Sequence, residues 1–252
     1  METPAAPPAT PAAPDPRPGS SHRTLLAYAG PFFLFVALVA LPGLIRPGAP
    51  VPADTPLWRS APELWVYPLQ TLLCAGMLWY YRREYPPARL PTSLAIFGMV
   101  VGLIVFAVWV SPQAIFGAGE RTDGFDPTRL LGADGSAGWY WTAVALRFVR
   151  LVVVVPILEE IFWRGFLLRY LVREDFLSLP FGSWTPLSFA VVTVGFVFEH
   201  ARPDWPAALV AGLLYNLVAV RTRNLPACVL AHAVTNALLG GYVMYYRQWG
   251  FW

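Results

Sequence analysis

LVVVVPILEEIFWRGFLLRYLV, residues 151–172, is an apolar stretch long enough to cross a bilayer, yet it holds Glu159 and Glu160 side by side and Arg164 one helical turn later. With no water in the hydrocarbon layer to satisfy the backbone, such a segment spans as a helix. A charge near the bilayer centre costs at least ~2.5–3.5 kcal/mol on insertion scales, so ionisable side chains there face a polar interior and mark a functional path. The triplet therefore fixes the kind of fold and points to where the function lies.

The rest of the chain agrees. Hydrophobic residues make up 56% of the 252 and charged residues 13%, where a soluble domain would carry about 25% charged residues. The expected fold class is all-α, a polytopic transmembrane bundle of about seven helices. Trp58, Trp65, Trp79, Trp109, Trp139, Trp141, Trp249 and Trp252 sit near the ends of apolar runs, the level at which indole rings meet lipid headgroups. The positive charge is all arginine, with no lysine; in a chain of this hydropathy it gives no ground for a nucleic-acid partner. Cys74 and Cys228 lie in separate apolar segments without CxxC spacing, which argues against a disulfide framework or a cysteine zinc site.

Spans are expected at about residues 25–45, 64–81, 92–110, 148–172, 184–200, 206–220 and 226–246, the fifth and sixth being short. The chain divides into a disordered Pro/Ala-rich tail (1–23), N-terminal transmembrane helices and loops (24–147), the helices carrying the chemistry (148–246) and a C-terminal tail (247–252). The connection Ser111–Gly138 mixes acids, arginines, Gly and Pro and reads as a solvated loop. Gly98 and Gly102 form a small-xxx-small spacing that would let their helix approach a neighbour closely. Seven spans place nine arginines on the N-terminal side and eight on the other, so the positive-inside rule only slightly favours a cytoplasmic N-terminus.

At about 100° per residue, Glu160 and Arg164 share a helix face and Glu159 points a quarter turn away. One carboxylate can be neutralised by the arginine while the other is free to take a proton from water or bind a metal. The alternative is that both acids pair with arginines, including Arg147 or Arg150, for packing alone. Two of the three histidines fall in late apolar segments: Phe196-x-x-x-His200, and His232-x-x-x-Asn236. The last two side chains project from one face and could donate to a single oxygen. Phe196 could brace the His200 ring. Measured from the loop side holding Arg173 and Arg223, at ~1.5 Å per residue, Glu159, His200, His232 and Asn236 lie at roughly 20, 22, 12 and 18 Å, so they can meet.

Glu159-Glu160-x-x-x-Arg164, Phe196-x-x-x-His200 and His232-x-x-x-Asn236, in that order on successive helices, resemble the CAAX prenyl endopeptidase (CPBP or Abi) family of intramembrane proteases, over about residues 152–239. The run Trp79-Tyr80-Tyr81-Arg82-Arg83-Glu84-Tyr85-Pro86 also resembles CAAX-protease-related proteins that accompany bacterial exosortase systems. The resemblance implies a membrane endopeptidase of the bacterial inner membrane. In it, Glu159 with His200 would hold and deprotonate water, His232 and Asn236 would donate to the oxyanion, and Glu160 with Arg164 would support Glu159. Its partners would be the lipid bilayer, a membrane-associated protein substrate and an exosortase-system component. Family members are also described as metallopeptidases, and Glu159, His200 and His232 are credible zinc ligands by type; the spacing is not HExxH, and a metal-free activated water would serve equally. Two other readings stay open: a non-proteolytic scaffold that keeps the motif for structure, and a proton-coupled transporter. No paired broken helices in repeated halves favour the last.

Overall fold

The computed structural model describes residues 22–46, 48, 52, 54–87, 89–131 and 137–252. Seven long helices run through them: α1 (His22–Ile45), α2 (Glu63–Tyr80), α3 (Thr92–Ala114), α4 (Gly138–Tyr170), α5 (Pro186–Glu199), α6 (Trp205–Thr222) and α7 (Leu225–Tyr246). No strand occurs among the described residues, and the molecule is the all-α bundle of an integral membrane protein. α1, α3, α4, α6 with the turn before it, and α7 are each long and apolar enough to cross a bilayer. α5, with 14 residues, reaches about 21 Å and stops short of a ~30 Å hydrocarbon layer. α2 includes Glu63 and Gln70 and is not among the five.

Several sequence boundaries shift. Residues 1–21 of the expected tail lie outside the described residues, while His22 and Arg23 already belong to α1. α4 begins at Gly138, so the division placed at residue 148 falls inside one continuous helix. The physical reason is that Arg147 and Arg150 are tucked inside the bundle instead of ending the apolar segment. The C-terminal residues are no loose tail either. Arg247 takes a left-handed conformation (φ 56°) that ends α7, and Trp249–Phe251 then form a 3-10 turn with Trp249 buried. The loop after α3 holds that turn: Arg121 pairs with Asp204 and donates to the Gly250 carbonyl (2.7 Å), and its guanidinium lies 4.2 Å from the Phe251 ring centre.

Prolines inside the helices remove amide donors, and the freed carbonyls find other partners. Pro31 in α1 leaves the Ala27 carbonyl to accept from the Tyr85 hydroxyl at 2.7 Å. Pro112 in α3 leaves the Val108 carbonyl to the Ser111 hydroxyl at 2.8 Å. α5 starts on a capping box between Thr185 and Ser188, and the Asn224 side chain caps α7 by accepting from the Ala227 amide.

Close approach of α3 to α7 depends on the two glycines singled out in the sequence. A Cβ at Gly98 would lie 2.8 Å from the Ala227 carbonyl oxygen, and one at Gly102 2.5 Å from that of Ala231. Small residues at this spacing let two backbones touch, the main route to tight packing where lipid removes the hydrophobic drive between helices. The contact fixes α7, and with it His232 and Asn236, against the rest of the bundle.

Candidate active site

α4 carries the glutamates on a short α-helical segment, Val155–Glu160, set between two π-helical ones, Val149–Val154 and Ile161–Leu167. Such widened turns are uncommon and occur often at functional sites. The first has a local cause and a local use. The Val155 amide bonds the Arg150 carbonyl, five residues back. In that register the next donor for Leu151 would be residue 156, a proline with no N–H. The orphaned Leu151 carbonyl instead accepts from Asn236 Nδ2 at 2.8 Å. Pro156 thus creates the acceptor that pins Asn236, leaving the second amide hydrogen of Asn236 for another oxygen.

Glu160 and Arg164 are fully buried and paired at 2.9 Å, as their shared helix face requires. Arg164 also donates to Asn216 Oδ1 (2.9 Å) and to the Gly212 carbonyl (3.5 Å) of α6, and its guanidinium lies 4.9 Å from the Phe196 ring centre. Asn216 is held in turn by the Phe189 carbonyl and the Thr193 hydroxyl of α5. One guanidinium therefore ties α4 to α5 and α6.

The same Glu160 oxygen that meets Arg164 lies 3.0 Å from His232 Nδ1. A carboxylate accepts, so Nδ1 carries the proton and Nε2 is turned toward Glu159, 4.0 Å from its Oε2. Tyr215 stacks on the His232 ring at 5.2 Å, and its hydroxyl donates to Thr235, whose hydroxyl in turn contacts the Gly102 and Ala231 carbonyls. These contacts fix the imidazole plane.

Glu159 differs from its neighbour. It forms no pair with an arginine, although each of the two glutamates keeps an Oε2 without a hydrogen-bond partner. It borders a cavity of about 270 Å³ that Glu199, His200, His232, Asn236 and Arg150 also line. His200 Nδ1 is 2.8 Å from the Phe196 carbonyl, an acceptor, so the neutral ring keeps the lone pair on Nε2. Phe196 and Trp109 flank this ring, with centres 4.8 and 5.2 Å away. Glu199, one residue earlier, accepts from Trp163 Nε1 at 3.0 Å and lies within electrostatic range of Glu159.

All six sequence candidates, Glu159, Glu160, Arg164, His200, His232 and Asn236, converge: Glu159, His200, His232 and Asn236 line one cavity, with the buried Glu160–Arg164 pair behind. Packing of both acids against Arg147 or Arg150 is ruled out, since neither arginine forms an ion pair with them. Two details differ from expectation. His200 makes no hydrogen bond to Glu159, and the Nδ1 protons of both histidines are already engaged, so His232 could donate to an oxyanion only from a protonated Nε2. The sequence left Glu199 unplaced and passed over Asn216, Tyr215 and Thr235, which lack a motif. Asn216 was nonetheless a polar residue in an apolar helix, the same signal that exposed Asn236.

Glu159, His200 and His232 match zinc by ligand type, yet no group of three or more His, Cys, Asp or Glu side chains among the described residues is arranged to hold a metal ion. As positioned, the site does not fit a three-ligand zinc centre.

Residues 139–238 match the family model of type II CAAX prenyl endopeptidases, Rce1-like. The match covers the helices that build the site, which are similar to that family. No curated protein and no solved structure matches the chain.

Proposed function

We propose that this membrane protein is an endopeptidase that hydrolyses a peptide bond of a membrane-associated protein, with Glu159 as the proton acceptor for the attacking water. The observation that carries this is the unequal treatment of two adjacent carboxylates. Glu160 is held by Arg164 and His232 and has no exposed surface, whereas Glu159 has no arginine partner and lines the cavity that two histidines share. Pairs of titratable groups whose surroundings differ so sharply are how one site assigns a base and its support.

In this reading water sits between Glu159 and the His200 Nε2 lone pair. Its oxygen attacks the substrate carbonyl carbon while Glu159 takes the proton. The developing oxyanion is met by the free amide hydrogen of Asn236 and by His232, which donates from Nε2 in its imidazolium form over the Glu160 carboxylate. Glu159 then returns the proton to the leaving nitrogen as the C–N bond breaks. Each oxyanion donor is worth ~3–4 kcal/mol, or 10²–10³ in rate. Glu160 and Arg164 are positioning residues: they set the His232 ring and the pitch of α4. A zinc-dependent route would require Glu159, His200 and His232 to draw together, and no step here depends on it. A bacterial membrane and an exosortase-system client are the finer part of the proposal and rest on the Trp79–Pro86 resemblance.

The test compares the termini of membrane proteins in cells with the wild-type chain and with Glu159→Gln or His200→Gln, each variant checked for wild-type abundance. One or more new termini should vanish with both variants. Identical termini in all three strains would leave the non-proteolytic scaffold as the better reading.

A further inference from the structure

Phe251 and Trp252, in the turn that follows α7, line the same cavity as Glu159. The Trp252 ring lies 5.7 Å from the Arg147 guanidinium, and Arg147 precedes Glu159 by twelve positions on α4, roughly 18 Å at ~1.5 Å per residue. The turn therefore stands at the end of the cavity remote from Glu159. With about 270 Å³, the cavity is smaller than the ~300–1,000 Å³ of clefts that enclose a drug-sized ligand, and several residues of polypeptide need more room than that. One side chain holds the turn from outside. The Arg121 guanidinium meets Asp204 at 2.5 and 3.0 Å, donates to the Gly250 carbonyl at 2.7 Å and lies 4.2 Å from the Phe251 ring centre. Both charges keep some exposure, 16% and 13%, so water competes for them. Asp204 belongs to the short turn after His200, whose carbonyl accepts from Trp205 Nε1 at 3.0 Å. Beneath Trp252 the arrangement is poorly satisfied: Trp252 Nε1 and Arg147 Nε and Nη1 are buried without a hydrogen-bond partner. Such donors cost free energy that water or a peptide carbonyl recovers once they are uncovered. The closed turn is thus favoured by its latch and disfavoured by what it covers.

Resting on the endopeptidase reading above, we propose that residues 248–252 are a lid on the catalytic cavity, latched by the Arg121 guanidinium, which lifts to admit a substrate segment to Glu159. Arg247, whose left-handed conformation ends α7, is the hinge, since element-terminal residues absorb such backbone changes. The backbone of residue 121 also holds the lid: its amide donates to Gln248 Oε1 and its carbonyl accepts from the Gly250 amide, both at 2.7 Å. Opening is therefore a local unfolding of the turn and not a side-chain rotation, and its population sets how often the cavity is accessible. When the lid lifts, Phe251 and Trp252 leave the cavity wall, the stranded donors of Trp252 and Arg147 meet water, and the cavity widens at the end where the loop after α3 lies.

The test is a thiol-accessibility measurement on the full chain in micelles, in a background of Cys74→Ala and Val155→Cys. Val155 is buried and lines the cavity four positions before Glu159. Native Cys228, buried near the opposite end of α7, is the control for general loosening. Labelling by a membrane-impermeant methanethiosulfonate is followed at both positions by peptide mass spectrometry. Arg121→Gln should speed labelling at position 155 about tenfold, the weight of a charge-assisted hydrogen bond. Phe251→Ala combined with Trp252→Ala should speed it at least as much, and Cys228 should stay unlabelled in both. Arg121→Lys, which keeps a charge opposite Asp204, should recover part of the protection. Equal rates at position 155 in the background protein and in both variants overturn the proposal. So does a parallel rise at Cys228, which would mean that the whole bundle has loosened. Because labelling needs no cleavage, its failure leaves the endopeptidase reading intact, and unchanged termini in cells leave the accessibility result intact.

Discussion

Arg164→Met removes the cation at the centre of the polar core while keeping most of the side-chain volume. Arg164 has no exposed surface and donates to Glu160, Asn216 and Gly212 at 2.9, 2.9 and 3.5 Å. Without it, Glu160 keeps only His232, its Oε2 being already unpartnered, and Asn216 Oδ1 loses its donor. Breaking a buried ion pair from one side costs ~3–5 kcal/mol. Part of that is recovered if the carboxyl takes up a proton, so a loss of about 3 kcal/mol is expected, including the orphaned amide oxygen at ~1 kcal/mol. Glu160→Gln alone strands the guanidinium and should also destabilise. The double variant removes both charges, and its cost should fall below the sum of the singles by ~1–3 kcal/mol, the coupling of groups in direct contact. The assay is reversible unfolding in mixed micelles with added SDS, followed by tryptophan fluorescence and far-ultraviolet circular dichroism. Additivity within ~0.5 kcal/mol, or a loss below ~1 kcal/mol for Arg164→Met, refutes the claim that this pair holds α4 to its neighbours.

Gly102→Val should destabilise the bundle by ~1–3 kcal/mol through overpacking against α7, while Gly76→Ala, with nothing within 4 Å of the new Cβ, should leave the thermal midpoint unchanged; equal midpoints for both would refute the close approach. Asn236→Ala should lower cleavage of whichever client the terminus comparison identifies by 10²–10³, the weight of one oxyanion donor, and Asn236→Asp, which also lacks the N–H for Leu151, should not rescue it; an active Asn236→Asp would remove Asn236 from that role. Arg121→Ala should loosen the C-terminal turn and speed tryptic cutting after Arg247, read by mass spectrometry of the shortened chain; an unchanged rate would show that the turn is held without the guanidinium, by the residue 121 backbone bonds to Gln248 and Gly250 and by aromatic packing.

Much of the site was legible because charge and polarity are conspicuous in apolar segments. Glu159, Glu160, Arg164, His200, His232 and Asn236 each stood out against their surroundings, and helical periodicity alone put Glu160 and Arg164 on one face. Periodicity failed at the π-helical turns of α4, where backbone register departs from 3.6 residues per turn, so no count of residues could have paired Asn236 with the Leu151 carbonyl. It also misjudged the start of α4: an arginine near the end of an apolar run usually marks the interface, and here Arg147 and Arg150 are enclosed by rings from α1, α2 and the C-terminal turn.

By itself the sequence determined that this chain is a helical membrane bundle and singled out the polar side chains that the proposed chemistry uses, because the cost of placing polar groups in lipid acts locally, segment by segment. The tertiary structure decided how those groups divide the work. Which glutamate is paired and which is free, which histidine nitrogen holds its proton, and which arginines stand without a carboxylate all depend on neighbours from distant segments, and a local pattern contains no information about them.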